Sequence, residues 1–156
     1  MLIIKTLAYA RGFIGSNPAK RSKIVLPLNF SENMKKKILI VDDDAMISDM
    51  YLMKFTEAGF DAITASDGKT ALEKIESEKP DAVLLDIVMP QRDGFDVLKE
   101  IGKKGILGQT KIILLSNVGQ REDIEKGLSL GASEYIIKAN FTPSEVLEKV
   151  KKIIGA

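Results

Sequence analysis

The sequence contains neither cysteine nor histidine among its 156 residues. The absence of cysteine excludes disulfides, thiolate nucleophiles and zinc–thiolate sites. The absence of histidine excludes Ser-His-Asp catalysis, imidazole metal ligands and a phosphohistidine on this chain. Any catalytic acid, base or nucleophile must therefore be the side chain of an Asp, Glu, Lys, Ser, Thr or Tyr.

The chain also lacks a long apolar run and a dominant charge. No stretch approaches the roughly 18 apolar residues of a membrane span, so we expect a cytoplasmic protein without a membrane partner. The 23 basic and 22 acidic residues give a net charge of +1, which offers no reason to propose a nucleic-acid surface. The content of 45% hydrophobic and 29% charged residues is typical of a globular domain.

The first 33 residues differ in composition from the rest. Residues 1–33 hold five basic residues and one acidic residue and show no sustained hydrophobic period. We predict a disordered N-terminal extension over 1–33 and a folded domain over 34–156. An acid-poor, basic segment is also typical of a transit peptide, which leaves a targeting function as the alternative for this segment.

From Met34 onward, apolar runs of strand length alternate five times with stretches of helical period. The predicted strands are 37–41, 61–65, 82–85, 111–115 and 134–137. The first helix is predicted to start at Asp44 as N-cap and to bury Ile47, Met50, Tyr51 and Phe55. The fourth helix, near 120–130, carries Ile124 and Leu128. The last helix has Thr142 as N-cap, Pro143 at its first position and Glu145 completing a capping box. This alternation predicts a parallel sheet covered by helices on both faces.

Polar residues follow four of the predicted strands. These residues are Asp42, Asp43, Asp86, Ser116 and Lys138. In open α/β sheets, ligands bind beyond the carboxyl ends of the strands, so these side chains should meet at one edge. Three converging carboxylates need a counter-charge, and Mg²⁺ prefers oxygen ligands. A carboxylate nucleophile, a metal, a lysine and a hydroxyl are the groups that phosphoryl transfer uses.

Residues 36–154 resemble the receiver domain of bacterial two-component response regulators. The segments that carry the resemblance are ILIVDDD (38–44), LLDIVMPQRDGFDVL (84–98), IILLSN (112–117) and GASEYIIKA (131–139). The resemblance implies a flavodoxin-like (βα)5 doubly wound parallel sheet with strand order 2-1-3-4-5. It covers about three quarters of the chain.

The resemblance also implies roles for individual residues. Asp86 would be the phosphoacceptor that attacks a phosphohistidine on a sensor histidine kinase or phosphotransfer protein. Asp43 would bind Mg²⁺ directly, and Asp42 would bind it partly through water. The backbone carbonyl of Val88 would complete the metal ligands that the protein supplies.

Further roles concern the switch that follows phosphorylation. Lys138 would pair with the Asp86 carboxylate and then with the phosphoryl group. Ser116 would move to bind a phosphoryl oxygen, and Tyr135 would turn inward behind it. Met89–Pro90 and Asp93–Gly94 would shape the loop beyond the nucleophile. The protein would not be an enzyme, because it would catalyse only its own phosphoryl transfer and dephosphorylation.

Two features depart from the common receiver pattern. Receivers usually follow the lysine with proline in a cis peptide, whereas Ala139 follows Lys138 here. A non-proline cis bond costs roughly 2.5–4 kcal/mol, so a trans peptide is the alternative. The sequence ends at Ala156, shortly after the last predicted helix, so we expect no output domain after the receiver. We therefore expect a stand-alone receiver that docks on an unknown downstream protein through the face formed by 120–154, without direct DNA binding.

Two other classes remain as alternatives. One is a receiver-shaped binding module that is never phosphorylated. The other is a Mg²⁺-dependent aspartyl-phosphate phosphatase, whose D-x-D pattern Asp42 and Asp44 superficially match. The two phosphorylated classes differ in the residue that a small phosphoryl donor labels, which is Asp86 for a receiver and Asp42 for the phosphatase.

Overall fold

The computed structural model describes residues 34–156, in which five parallel strands carry helices on both faces. The strands are β1 (Lys37–Val41), β2 (Asp61–Ala65), β3 (Ala82–Leu85), β4 (Lys111–Ser116) and β5 (Glu134–Ile137). The helices are α1 (Ala45–Glu57), α2 (Gly68–Glu78), α3 (Gly94–Lys103), α4 (Arg121–Ser129) and α5 (Pro143–Ile154). The strand order β2-β1-β3-β4-β5 confirms the predicted flavodoxin-like sheet. The extension predicted over 1–33 lies outside the described residues.

The sheet separates two hydrophobic cores. Alternate residues of the central strands point to opposite faces, so Leu39 and Val83 join one core while Ile38 and Leu84 join the other. Helices α2 and α3 cover the first core, and α1 and α5 cover the second. The central strands are apolar at every position because both of their faces are buried.

The predicted helix starts agree with the structure. The Asp44 side chain accepts hydrogen bonds from the first-turn N–H groups of α1. Thr142 and Glu145 form the capping box of α5, with Pro143 at its first position. Between β5 and α5, Lys138–Asn140 form a single 3₁₀ turn in which the Lys138–Ala139 peptide is trans. Within residues 34–156, no helix is both long and apolar enough to cross a bilayer.

Two helices expose a large apolar side chain, and the one on α1 differs from the prediction. Met50 was expected in the core, but it is 41% exposed, because α1 buries the face that carries Ser48, Tyr51 and Phe55 instead. On α4, Leu128 is 47% exposed, and the only buried residue of the helix is Gly127. A side chain at that glycine would collide with strand residues beneath it, so α4 approaches the sheet through its smallest residue.

Candidate functional site

The carboxyl edge of the sheet collects the polar residues that the sequence placed at the strand ends. Asp42 follows β1, Asp86 follows β3 and Ser116 ends β4, and all three are buried. Lys138 follows β5 and reaches across to the first two. A parallel sheet brings the carboxyl ends of its strands to one edge, which is why residues so far apart in sequence meet here.

Three carboxylates form the acidic part of this edge. Asp42, Asp43 and Asp86 each present an oxygen, and these oxygens all lie within 4.8 Å of one another. Asp43 is exposed to solvent, whereas the other two are buried. The donors are all hard oxygens, and Mg²⁺ prefers such donors while keeping several of its waters. The set therefore fits Mg²⁺, with Asp43 on the side open to solvent.

Lys138 is the positive charge of the site. Its Nζ lies 2.6 Å from Asp42 Oδ2 and 3.3 Å from Asp86 Oδ2, so the amine bridges both buried carboxylates. The sequence predicted a pair with Asp86, but the structure shows that Asp42 is the closer partner. The other oxygen of Asp42 accepts the Asp44 N–H at 2.9 Å. Both oxygens of Asp42 are thus engaged, whereas Asp86 is held less closely.

The charges of the site shift the pKa values of its members. Burial raises the pKa of Asp86; Lys138 opposes this shift, and the negative charge of Asp42 reinforces it. Burial alone would lower the pKa of Lys138, but the hydrogen bond to Asp42 and the charges of both carboxylates hold it above its ordinary value. The lysine therefore stays protonated, but its single positive charge does not balance the three clustered carboxylates.

A chain of hydrogen bonds runs from Ser116 to Tyr135 through the backbone of Val118. The Val118 N–H donates to Ser116 Oγ at 3.3 Å, and the Tyr135 hydroxyl donates to the Val118 carbonyl. Tyr135 is buried, and burial, with the charges of Asp123 and Asp86, raises its pKa to about 12. The phenol thus remains a donor, and it links β5 to the loop that carries Ser116.

The loop between β3 and α3 is held against Asp86 by a glycine. A side chain at Gly94 would collide with the backbone of Asp86, and its Cβ would lie 2.8 Å from Ile87 Cα. The Gly94 N–H donates to the Ile87 carbonyl at 2.8 Å, and Asp93 caps α3 through its side chain. The predicted role of Asp93–Gly94 in shaping this loop agrees with these contacts.

Some contributors to the site were not predicted. The N–H groups of Asp44, Val88 and Val118 contact Asp42, Asp86 and Ser116 respectively. These contacts use backbone atoms, so the identity of the side chain gives no signal for them. The predicted role of the Val88 carbonyl in metal binding stays a prediction.

The fold and this edge define a class of protein, a flavodoxin-like domain with an acid-and-lysine site at the carboxyl ends of its strands. A sequence model described as the response regulator receiver domain matches residues 38–151. The chain therefore belongs to the response regulator receiver family, as its resemblance predicted. Membership in this family is consistent with a switch that phosphorylation activates.

Curated relatives include both long and short proteins. The alkaline phosphatase synthesis transcriptional regulatory protein PhoP of Bacillus subtilis is 40% identical over 121 residues, which are 78% of this chain and 49% of PhoP. The chemotaxis protein CheY of Thermotoga maritima is also 40% identical over 121 residues, here 77% of this chain and 98% of CheY. The chain thus spans about half the length of the first relatives and nearly all of CheY.

Solved structures agree with the fold. A CheY-like receiver domain protein from Methanospirillum hungatei has a TM-score of 0.72 and 31% identity, covering 78% of this chain and 95% of its own. The CheX-CheY-BeF3-Mg complex from Borrelia burgdorferi contains a chain with a TM-score of 0.73 and 30% identity, covering 80% of this chain and 93% of its own.

Proposed function

We propose that this protein is a signalling switch in which Asp86 accepts a phosphoryl group from a phosphohistidine of a sensor histidine kinase or phosphotransfer protein. The observation that carries the proposal is the buried Asp86 carboxylate, with Lys138 Nζ at 3.3 Å and two further carboxylates within 4.8 Å. An Asp86 oxygen attacks phosphorus, the phosphorus–nitrogen bond breaks, and the imidazole leaves with that electron pair. The protein catalyses only this transfer to itself and the later loss of the group.

The metal in this proposal is Mg²⁺, held by Asp42, Asp43 and Asp86 with the Val88 carbonyl. Bound there, Mg²⁺ would neutralise the carboxylates and the charge that develops on the phosphoryl oxygens. Lys138, which already contacts Asp42 and Asp86, supplies a second positive charge. Ser116 supplies a hydroxyl that can donate to a phosphoryl oxygen once it turns from its present contact with Val118.

Asp86 is better suited than Asp42 to act as nucleophile. Both oxygens of Asp42 accept hydrogen bonds, from Lys138 at 2.6 Å and from the Asp44 N–H at 2.9 Å. The contacts to Asp86 are longer, at 3.3 Å to both Lys138 and the Val88 N–H. Hydrogen bonds stabilise the lone pairs of a carboxylate oxygen and weaken it as a nucleophile, so the less tightly held carboxylate reacts more easily.

The proposed output is docking to a downstream protein through the face of α4, β5 and α5, with the protein acting in the cytoplasm and without direct contact to DNA. Tyr135 supports this assignment, because it lies in β5 and its hydroxyl binds the backbone two residues beyond Ser116. Movement of Ser116 toward a phosphoryl group would therefore disturb this face directly. The basic residues of α5 are partly engaged, with Lys149 over the Phe141 ring at 4.8 Å and Lys151 near Glu148 at 3.3 Å.

The test is phosphorylation by acetyl phosphate with Mg²⁺, measured by intact mass. Wild-type protein should gain one phosphoryl group, and Asp86→Asn should gain none. Asp42→Asn should still be labelled, although more slowly. Labelling that survives Asp86→Asn but not Asp42→Asn would favour the phosphatase alternative, and no labelling of wild-type protein under any donor would favour the unphosphorylated binding module.

A further inference from the structure

Strand β2 forms one edge of the sheet and, within residues 34–156, it pairs only with β1. The Asp61 N–H donates to the residue before β1 at 2.9 Å, and the Ala65 carbonyl accepts from the residue after β1 at 3.1 Å. The backbone groups of these two residues therefore point toward β1. Because successive residues of a strand direct their backbone groups to opposite sides, those of Ala62 and Thr64 point away from the sheet.

A lysine of α2 covers one of these outward groups. The Lys74 amine donates to the Thr64 carbonyl at 2.5 Å, and Lys74 is half-buried against the strand. Natural sheets commonly carry a lysine at an edge strand, because its charge prevents another strand from pairing there. The amine of Lys74 lies where the N–H group of a neighbouring strand would have to bind.

Without this contact, the edge would be complementary to itself. Two β2 strands that run antiparallel about a two-fold axis beside Ile63 place Ala62 of one copy opposite Thr64 of the other. Each such pair exchanges two backbone hydrogen bonds, so the outward donors and acceptors satisfy one another. The strand contains no proline that would prevent this pairing. A second copy of this chain therefore fits the edge by its backbone alone.

We propose that the free edge of β2 is a pairing surface for a second copy of this chain, and that Lys74 keeps this surface closed by holding the Thr64 carbonyl. In a symmetric dimer both copies must release this hydrogen bond. A hydrogen bond from a charged donor contributes more than a neutral one, so the loss of two of them opposes pairing. This inference concerns assembly and does not depend on phosphorylation of Asp86.

The test is the oligomeric state of the full chain, measured by analytical ultracentrifugation over a range of protein concentrations. Lys74→Met keeps an apolar stem and removes the amine, so it should dimerise at concentrations roughly a hundredfold lower than wild type requires. Lys74→Ala removes the stem as well and should dimerise in the same way. Lys74→Arg retains a charged donor and should sediment as wild type does. Lys69→Met, at an exposed position near the start of α2, is the matched control and should also sediment as wild type does.

A second substitution locates the surface on which the copies meet. Ala62→Pro removes an outward N–H but no hydrogen bond to β1, and edge strands tolerate proline at such positions. The double variant with Lys74→Met and Ala62→Pro should therefore be monomeric again. Lys74→Met and Lys74→Ala that stay as monomeric as wild type would overturn the inference. A dimer that survives Ala62→Pro, or equal dimerisation of Lys69→Met, would overturn it too, because another surface or the added apolar side chain would then drive association.

Discussion

Two lysines in this protein each lie between two carboxylates, at opposite ends of the sheet. At the amino end, Lys37 Nζ lies 2.6 Å from Glu78 Oε2 and 3.7 Å from Asp61 Oδ2. At the carboxyl end, Lys138 Nζ lies 2.6 Å from Asp42 Oδ2 and 3.3 Å from Asp86 Oδ2. The two clusters have nearly the same distances and the same charges, yet only the second is a candidate site.

Burial is what distinguishes the two clusters. The Lys37 side chain is 26% exposed and its partners 44% and 50%, whereas the Lys138 side chain is 11% exposed and its partners 5% and 9%. Water screens the exposed pairs, which therefore contribute little to stability. The buried charges have lost their water and depend on one another, so removing one member disturbs the rest. The comparison shows that ion-pair geometry alone does not identify a functional cluster.

The largest predicted difference between the two lysines is in phosphorylation. Lys138→Ala removes a positive charge that contacts Asp86, and we expect the rate of labelling by acetyl phosphate to fall about a hundredfold. Lys37 lies at the opposite end of the sheet, so the Lys37→Ala variant should be labelled at the wild-type rate. Initial rates measured by intact mass at fixed Mg²⁺ would check this, and equal rates in the two variants would remove Lys138 from the site.

The second difference is in stability. Lys138→Ala leaves two buried carboxylates without their counter-charge, and breaking a buried ion pair in this way costs about 3 kcal/mol. We expect the free energy of unfolding in metal-free buffer to fall by about that amount. Lys37→Ala should change it little, because solvent replaces the lost partner. Urea unfolding of both variants provides the measurement, and equal losses would contradict the distinction drawn from burial.

Mg²⁺ binding should distinguish the acidic residues at the carboxyl end of the sheet from those at the amino end. A metal that binds only the native state raises the melting temperature, so Mg²⁺ should stabilise the wild-type protein. Asp43→Ala should lose this stabilisation, because one of the three clustered carboxylates is gone. Asp61→Ala, also an exposed aspartate, is the matched control and should retain it. An unchanged Mg²⁺ effect in Asp43→Ala would place the binding elsewhere.

The smallest predicted effect is on the pH dependence of stability. The folded-state pKa of Asp86 is raised above the ordinary value of 3.8, so the native state binds this proton more tightly than the unfolded state does. The stability that this provides is full below pH 3.8 and is lost as the pH rises through the folded-state pKa. Asp86→Asn does not titrate, so in metal-free buffer its melting temperature should rise relative to wild type as the pH is raised above 3.8. A falling difference for Asp86→Asn would show that the charged carboxylate is stabilised in the fold.

The sequence predicted the sheet and the residues that form the site. It predicted the contacts among those residues less completely. Strand 82–85 was evident because it is apolar at every position. Its carboxyl end placed Asp86 at the same edge of the sheet as Asp42, which follows β1. Local chemistry likewise determined the start of α5, since Thr142 and Glu145 cap the helix through groups three residues apart. Such features depend on the order of neighbouring residues, which a sequence displays directly.

Features that depend on packing were not predictable in the same way. The closer contact of Lys138 with Asp42 rather than Asp86 depends on differences of less than 1 Å between strands far apart in sequence. Met50 was assigned to the core because it is apolar, but the orientation of α1 is decided by larger buried residues such as Phe55. The resemblance to receivers left the isomer of the Lys138–Ala139 peptide open, since Ala replaces the usual Pro; the structure shows it as trans.

The central claim is that the buried carboxylate at the end of β3 carries the phosphoryl group. Borohydride reduces an aspartyl phosphate to homoserine, so it records the phosphorylated residue permanently. Wild-type protein labelled by acetyl phosphate, reduced and digested should contain homoserine at position 86 and retain aspartate at Asp42, Asp43 and Asp61. Homoserine at any of those three positions, with Asp86 unmodified, would contradict the account.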